Sequence, residues 1–434
     1  MEDLNLNHRE ETILDKRALF ILSFFVPVFI MVLIFVQRGI FPFGDESFLR
    51  TDMYHQYAPF FSEFKYKLSH GGSLLYSWDL GMGINFSALY AYYLASPLNW
   101  LIVLCPQAYV IEFMTYMIVV KIGLSGLSFT YYLSKHSIKK KSGIVFFGIF
   151  YALSGYIAAY SWNIMWLDCI VLFPIVCLGL ESLVKKNKGF LYAVSLGICI
   201  LSNYYISIMI CIFMVIYFIS LHILKRKNDL RRFLLSSVQF AVYSLLAGGL
   251  SAVVLLPEIY ALKLTASGNF NFPTTFESYF SIFDMIARHI GNVQIEIGLD
   301  HWPNIYCGVG VFLFAVLYLL NKKIGKKEKT VYMSLLMFFF AGFSINVLNY
   351  IWHGLHYPNS LPARQSFIYI FLVLYLCFKA YDRLEENTAR DLKIALGVSM
   401  GYILLAQKIV NNEDFHFAVF YAAMIFIAIY AFLI

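Results

Sequence analysis

Asp52, His55, Gln56 and Tyr57 lie within the run TDMYHQY, bringing a carboxylate, an imidazole, an amide and a phenol onto six consecutive residues. A carboxylate tuned by partial burial can take a proton from an attacking hydroxyl. The same residue type starts helices, and Thr51 and Asp52 are both good N-caps, so both readings stand here. A second set lies in WHGLHYPNSLPARQSF, residues 352–367, with His353, His356, Asn359 and Arg364 in a stretch stiffened by two prolines. The planar guanidinium of Arg364 suits phosphate because it pairs with two oxygens and stays charged. Trp, Tyr and Arg also anchor the ends of membrane spans, which is the competing reading. A third set is the turn from Asp79 to Asn85, DLGMGIN, whose glycines let a backbone approach a ligand or another helix closely. Asp45 is the reserve for Asp52, and Asp168, after WNIMWL, is a carboxylate that is costly at membrane depth unless it is paired or meets water. His353 and His356 lack a clear third ligand for zinc. A hard divalent cation, Mg or Mn, on Asp45, Glu46 or Asp52 is the remaining metal reading.

The elements that must hold these residues are membrane elements. Of 434 residues, 60% are hydrophobic, 18% aromatic and only 14% charged, more apolar surface than a soluble domain can hide. The apolar runs are long and continuous, which predicts an all-α polytopic membrane protein and excludes a β-barrel. The first run, from Ala18 to Val36, is followed by no small-residue cleavage site and reads as an anchoring span. The net charge of +7 reflects basic loops facing anionic lipid, not nucleic acid. The seven cysteines have no metal-ligand spacing and predict no disulfide framework.

Twelve spans are predicted, at about 18–36, 109–133, 143–161, 166–184, 189–203, 205–224, 233–256, 305–320, 331–348, 366–380, 394–409 and 416–434. With residues 1–17 as a cytoplasmic tail, 24 Lys and Arg fall in cytoplasmic segments and 8 in outer ones, as the positive-inside rule requires. The stretch 86–104 is apolar too, but a crossing there would turn every later basic loop outward, so it is predicted to be re-entrant or to lie on the outer surface. Residues 52–68 are expected to form an amphipathic helix with Met53, Tyr57, Phe60, Phe61, Phe64 and Leu68 on one face. The three longest loops, 37–108, 257–304 and 349–365, are then extracytoplasmic and carry most of the candidate chemistry. The short basic inner loops contain no phosphate-cradling glycine loop, which argues against a cytosolic nucleotide-using enzyme.

The motifs Asp52-xxx-Gln56-Tyr57, SWDLGMGINFSALYAYYLASPLNWL (77–101) and LHYPNSLPARQSF (355–367) resemble those of the YfhO family of bacterial membrane proteins, and the likeness covers nearly the whole chain. The resemblance implies a GT-C-like bundle over 18–434, with a large first extracytoplasmic loop carrying juxtamembrane helices. It implies a glycosyltransferase that uses a polyprenyl-phosphate-linked sugar, with lipoteichoic acid or another cell-wall polymer of a Gram-positive bacterium as acceptor. Asp52 is the position that best matches the essential acid of that superfamily, with Asp45 second. Arg364, with His356 and Asn359, would bind the donor phosphate. His55, Gln56, Tyr57, Asp79, Asn85 and Asp168 would complete the substrate site. Tyr54, Tyr57, Trp78 and Trp302 would stack on sugar faces or serve as interfacial aromatics. Family members are commonly longer, so the end at Ile434 is read as a shortened or a naturally short form, which leaves acceptor recognition open. Two other classes fit the composition, a flippase or exporter of a lipid-linked glycan and a non-catalytic wall-assembly protein. The first predicts polar residues along a path between spans and repeated halves with broken helices, neither of which the sequence displays.

Overall fold

The computed structural model describes residues 2–136, 141–225, 229–265, 271–410, 412 and 414–434. Four basic residues of the charge argument, Lys139, Lys140, Arg226 and Lys227, lie outside them. Among the described residues regular structure is nearly all helical, and the one sheet is the hairpin Tyr76–Ser77 with Ile84–Asn85. Among the described residues seven helices are long and apolar enough to cross a membrane: Arg17–Arg38, Gln107–Ser134, Gly143–Tyr160, Leu167–Lys186, Tyr204–Leu224, Leu230–Leu250 and Ala389–Ile409. Each coincides with one of the twelve expected spans. The other five expected spans are also helical, over Phe190–Ser202, Gly310–Leu320, Lys326–Ser344, Ser366–Asp382 and Phe417–Leu433. Four of these run only 11 to 17 residues. At 1.5 Å per residue that is less than the roughly 30 Å hydrocarbon core. The fifth, Lys326–Ser344, opens on KKEK and is too charged in its first turn. The stretch expected to be re-entrant forms two helical pieces, Phe86–Leu94 and Pro97–Leu104, bent by 102°. Pro97 starts the second piece, where its fixed φ is tolerated, and Ser96 caps it by accepting from Leu98 N.

The chain divides into two compact units. One comprises residues 24–128 and 160–271. Its helices approach at small residues: a Cβ on Gly179 would meet the Tyr192 backbone at 2.6 Å, and one on Gly123 would meet Val28 and Phe24 at 2.8–2.9 Å. Such contacts suit helices in lipid, where association relies on close packing rather than on hydrophobic burial. The segment from Ser161 to Ile170 is buried throughout and forms the hub of this unit. The other unit comprises residues 1–23, 129–159 and 272–434. Its centre is the helix Ser366–Asp382, apolar all round and buried over nearly its whole length.

The expected amphipathic helix over 52–68 is two elements, a π-helical turn Met53–Tyr57 followed by the helix Ala58–His70. Met53, Tyr57, Phe61 and Phe64 are buried as the pattern requires. Glu63 and Lys67 are buried beside them, because Lys67 pairs with Glu63 at 3.2 Å and donates to Tyr76 O, while Ser77 donates to Glu63 at 2.6 Å. This polar cluster ties the helix to the hairpin.

Candidate active site

In the unit built from 24–128 and 160–271, Asp52 stands at the head of the π-helical turn. Its side chain makes no capping hydrogen bond although it occupies the N-cap position, and it is only half-buried. The preceding Thr51 has φ 45°, a left-handed conformation that a β-branched residue avoids. Among the described residues there are two π-helical turns, Met53–Tyr57 and Tyr90–Leu94, and they touch each other. Tyr93 donates to Gln56 Oε1 at 3.2 Å, the Tyr57 and Tyr93 rings are 5.5 Å apart, and the charge of Asp52 acts on the Tyr93 hydroxyl. Single π-helical turns recur at functional sites because the extra residue per turn re-aims side chains. Tyr57 is buried: it donates to Asn163 Oδ1 at 2.9 Å and stacks on Trp162, so its ring fixes the turn to the hub and is not free to hold a sugar. His55, Tyr54 and Trp78 are exposed.

Asp45 and Glu46 line a separate cavity of about 240 Å³ with Tyr54, Glu112 and Tyr116. Among the described residues no three His, Cys, Asp or Glu side chains come together in a way that could hold a metal ion. Asp79 is exposed in the hairpin turn, where Gly81, Met82 and Gly83 all have positive φ. Gly83 has φ 114°, a conformation that residues with a side chain rarely adopt, so the hairpin turn itself favours glycine there. Asn85 caps the following helix, accepting from Ala88 N and from the Ser87 hydroxyl. Asp168 is buried and paired with Lys121, and it accepts from Ser96 at 2.8 Å. These bonds show Asn85 and Asp168 acting on the bend and its caps.

The Arg364 turn lies in the other unit, half-buried. Arg364 donates from Nε to Leu361 O at 3.1 Å and from Nη2 to Ser360 O at 3.0 Å, so the guanidinium is oriented by its own turn. His356 is half-buried and Asn359 exposed. His353 is fully buried, its Nδ1 bound to Asn349 O at 2.8 Å and its Nε2 without a hydrogen-bond partner. Burial first, and then the charge of Arg364, hold this imidazole neutral, with its pKa lowered to about 3. His356 and His301 add smaller contributions of the same sign. Burial followed by Arg364 also lowers the pKa of His356. The turn contains three positive-φ non-glycine residues, Leu355, Leu361 and Ala363. With Thr51 and Met82, five of the seven positive-φ non-glycine residues described lie in or directly beside the three motifs singled out from sequence. Backbone strain of this kind persists only where surrounding structure enforces it, and it gathers at functional sites.

Four residues that matter to this geometry carry no sequence signal of their own. Tyr93, Asn163 and Ser96 read as ordinary polar residues in aromatic or apolar stretches. Glu258 follows Pro257 in an apolar helix and accepts from the Tyr204 hydroxyl at 2.6 Å. Only a lone carboxylate beside a proline in an apolar run could have flagged it.

The family model described as "Bacterial membrane protein YfhO" matches residues 23–434. The chain belongs to the YfhO family. A search of the curated proteins found no match. In this YfhO protein the family match covers both units, so the Asp52 turn, the 77–101 hairpin and bend, and the Arg364 turn all fall inside it.

Proposed function

We propose that this YfhO protein is a membrane glycosyltransferase of the GT-C type, moving a sugar from a polyprenyl-phosphate donor to an extracytoplasmic acceptor such as lipoteichoic acid or another wall polymer. In this reading the twelve helical segments all cross or line the membrane, the stretch 86–104 is re-entrant, and the active site faces outward. The observation that carries the proposal is Asp52: a half-buried carboxylate, not used as a cap, that heads a strained π-helical turn beside Tyr93 and Gln56.

Asp52 removes the proton from the acceptor hydroxyl as that oxygen attacks the anomeric carbon. The bond between the anomeric carbon and the phosphate oxygen breaks, and the polyprenyl phosphate leaves with the electron pair. Direct displacement inverts the anomeric centre. Taken by itself, the turn of the other unit that carries Arg364, His356 and Asn359 is proposed to bind an anionic phosphate group. His55, Asp79 and Asp45 remain candidates for sugar or acceptor contacts.

The test is Asp52→Asn in purified protein supplied with a panel of polyprenyl-phosphate sugars, with lipid release read by mass. Transfer should fall by about 10²-fold or more while the melting temperature stays within a few degrees. Full transfer by the variant removes Asp52 as the base, and a transporter or scaffold would tolerate the change.

A further inference from the structure

In the unit formed by 1–23, 129–159 and 272–434, the loop 321–325 joins the helix Gly310–Leu320 to Lys326–Ser344 and is tied to the stretch that leads into Ala389–Ile409. Asn321 is fully buried and donates from Nδ2 to Arg383 O at 3.1 Å and to Asn387 Oδ1 at 2.7 Å. Asn387 in turn donates to Leu317 O at 3.3 Å, and Arg383 Nη1 donates to Lys323 O at 3.2 Å. Lys329 bends back to donate to Leu319 O at 2.7 Å and Asn321 O at 2.6 Å, which satisfies carbonyls at the end of the preceding helix. Ile324 is buried as well. The loop is fixed at both ends and in its middle, so its cations are presented from a rigid base.

Those cations are exposed. Lys322, Lys323 and Lys326 come from the loop and the first turn of its helix, and Arg390 and Lys393 from the start of Ala389–Ile409. Lys322 and Arg390 are near enough for both charges to act on the Asp391 carboxylate, and the like charge of Lys326 acts on Lys329. The stretches 321–330 and 379–393 together carry nine basic and five acidic residues, so their own acids cannot balance them. Three of those acids are also engaged. Asp391 accepts from the Thr388 N–H and hydroxyl, Glu328 pairs with Lys379, and Glu386 lies 3.9 Å from Arg383. A cation in the first turn of a helix faces its positive end, so Lys326 and Arg390 stand where an anion is favoured. An anion seated among them reverses that cost.

The same helices expose apolar side chains directly beside the cluster. Leu319 lies three residues before Lys322, and Ile394 and Val398 follow Lys393. Cations at the margin of an exposed apolar surface match a headgroup lying over its own acyl chains. A phosphatidylcholine or phosphatidylethanolamine headgroup would bring an ammonium against the cluster, whereas phosphatidylglycerol adds only hydroxyls to its phosphate. We propose that Lys322, Lys326 and Arg390 form a binding site for the phosphate of an anionic phospholipid, on the side of the membrane that the charge pattern assigns to the cytoplasm. The site stands apart from the donor reading, since it needs no sugar transfer and uses no residue given a role there.

The test uses the full chain purified in dodecyl maltoside and titrated with phosphatidylglycerol or phosphatidylcholine. Bound lipid is counted by native mass spectrometry, and the melting temperature is followed alongside. Phosphatidylglycerol should add one tightly held lipid and raise the melting temperature, and phosphatidylcholine should do neither. Lys322→Gln with Lys326→Gln should weaken that binding about tenfold, and Arg390→Gln should weaken it as well. The control Lys186→Gln with Lys188→Gln removes the same charge from exposed lysines of the other unit and should leave binding unchanged. An equal loss in the control would show diffuse attraction to net charge and overturn the site. So would equal uptake of the two lipids. Displacement of the lipid by equimolar inorganic phosphate would make the ligand a free anion and overturn the lipid assignment. Should the loop variant not fold, the comparison of the two lipids on the unaltered chain still decides.

Discussion

Lys121 Nζ lies 2.6 Å from Asp168 Oδ2, with both side chains buried, and the same ammonium donates to Ile164 O at 3.1 Å. Ser96, at the 102° bend between Phe86–Leu94 and Pro97–Leu104, donates to the other Asp168 oxygen. One ion pair thus joins the span Gln107–Ser134, the first turn of Leu167–Lys186 and the bend. Removing one partner strands the other charge in a low-dielectric interior, which typically costs about 3–5 kcal/mol. Lys121→Met and Asp168→Asn should each lower the melting temperature markedly in detergent. The double replacement Lys121→Met with Asp168→Leu should recover much of the loss, because two apolar residues leave no orphan charge. A double variant no better than either single one would show that the pair does more than balance charge.

Thr51 is held at φ 45° immediately before the candidate base. Glycine adopts that conformation without the clash at Cβ, so Thr51→Gly should relieve strain of order 1 kcal/mol. Part of the gain is offset by the greater freedom of glycine in the unfolded chain. The melting temperature should therefore hold or rise slightly. If the strain aims Asp52, sugar transfer should fall in the same variant, with the loss in kcat rather than in KM. A variant that is less stable yet fully active would show that the Thr51 conformation serves folding alone.

His353 is buried and neutral, with its pKa lowered from the ordinary 6.5 to about 3. The unfolded chain therefore takes up a proton here before the folded one does. The stability this residue contributes is fully present above pH 6.5 and is lost as pH falls from 6.5 towards 3. Thermal unfolding in detergent followed between pH 7.5 and 4 should show a decline that begins near 6.5. His353→Gln, which cannot take that proton, should flatten the part of the decline due to this site. An unchanged slope in the variant would move the acid sensitivity to another group.

What could be read from sequence was whatever depends on local composition and period. The lipid-solvated class followed from the continuous apolar runs, and each of the twelve expected spans coincides with a helix because helical hydrogen bonding is satisfied within the segment. The family motifs were likewise visible in 77–101 and 355–367. The apolar face of 52–68 was legible too, since Met53, Tyr57, Phe61 and Phe64 follow helical spacing and are buried.

Tertiary structure decided what each polar side chain does. Asp168 and Asn85 could equally have met a ligand. Their partners, Lys121 and Ser96 for one and Ala88 N with Ser87 for the other, commit them to the bend and to a cap. Asp52 had two readings, and its side chain makes no cap bond to a backbone N–H, so it does not serve as a side-chain N-cap here. The π-helical turns, the strain at Thr51 and the pairing of Tyr93 with Gln56 arise from contacts between residues up to 106 positions apart, as in Tyr57 with Asn163. Period and composition describe how a segment meets its solvent. They carry no information on which distant residue will occupy the one remaining hydrogen-bond position, and in this chain that choice separates the paired Asp168 from Asp52, whose side chain caps nothing.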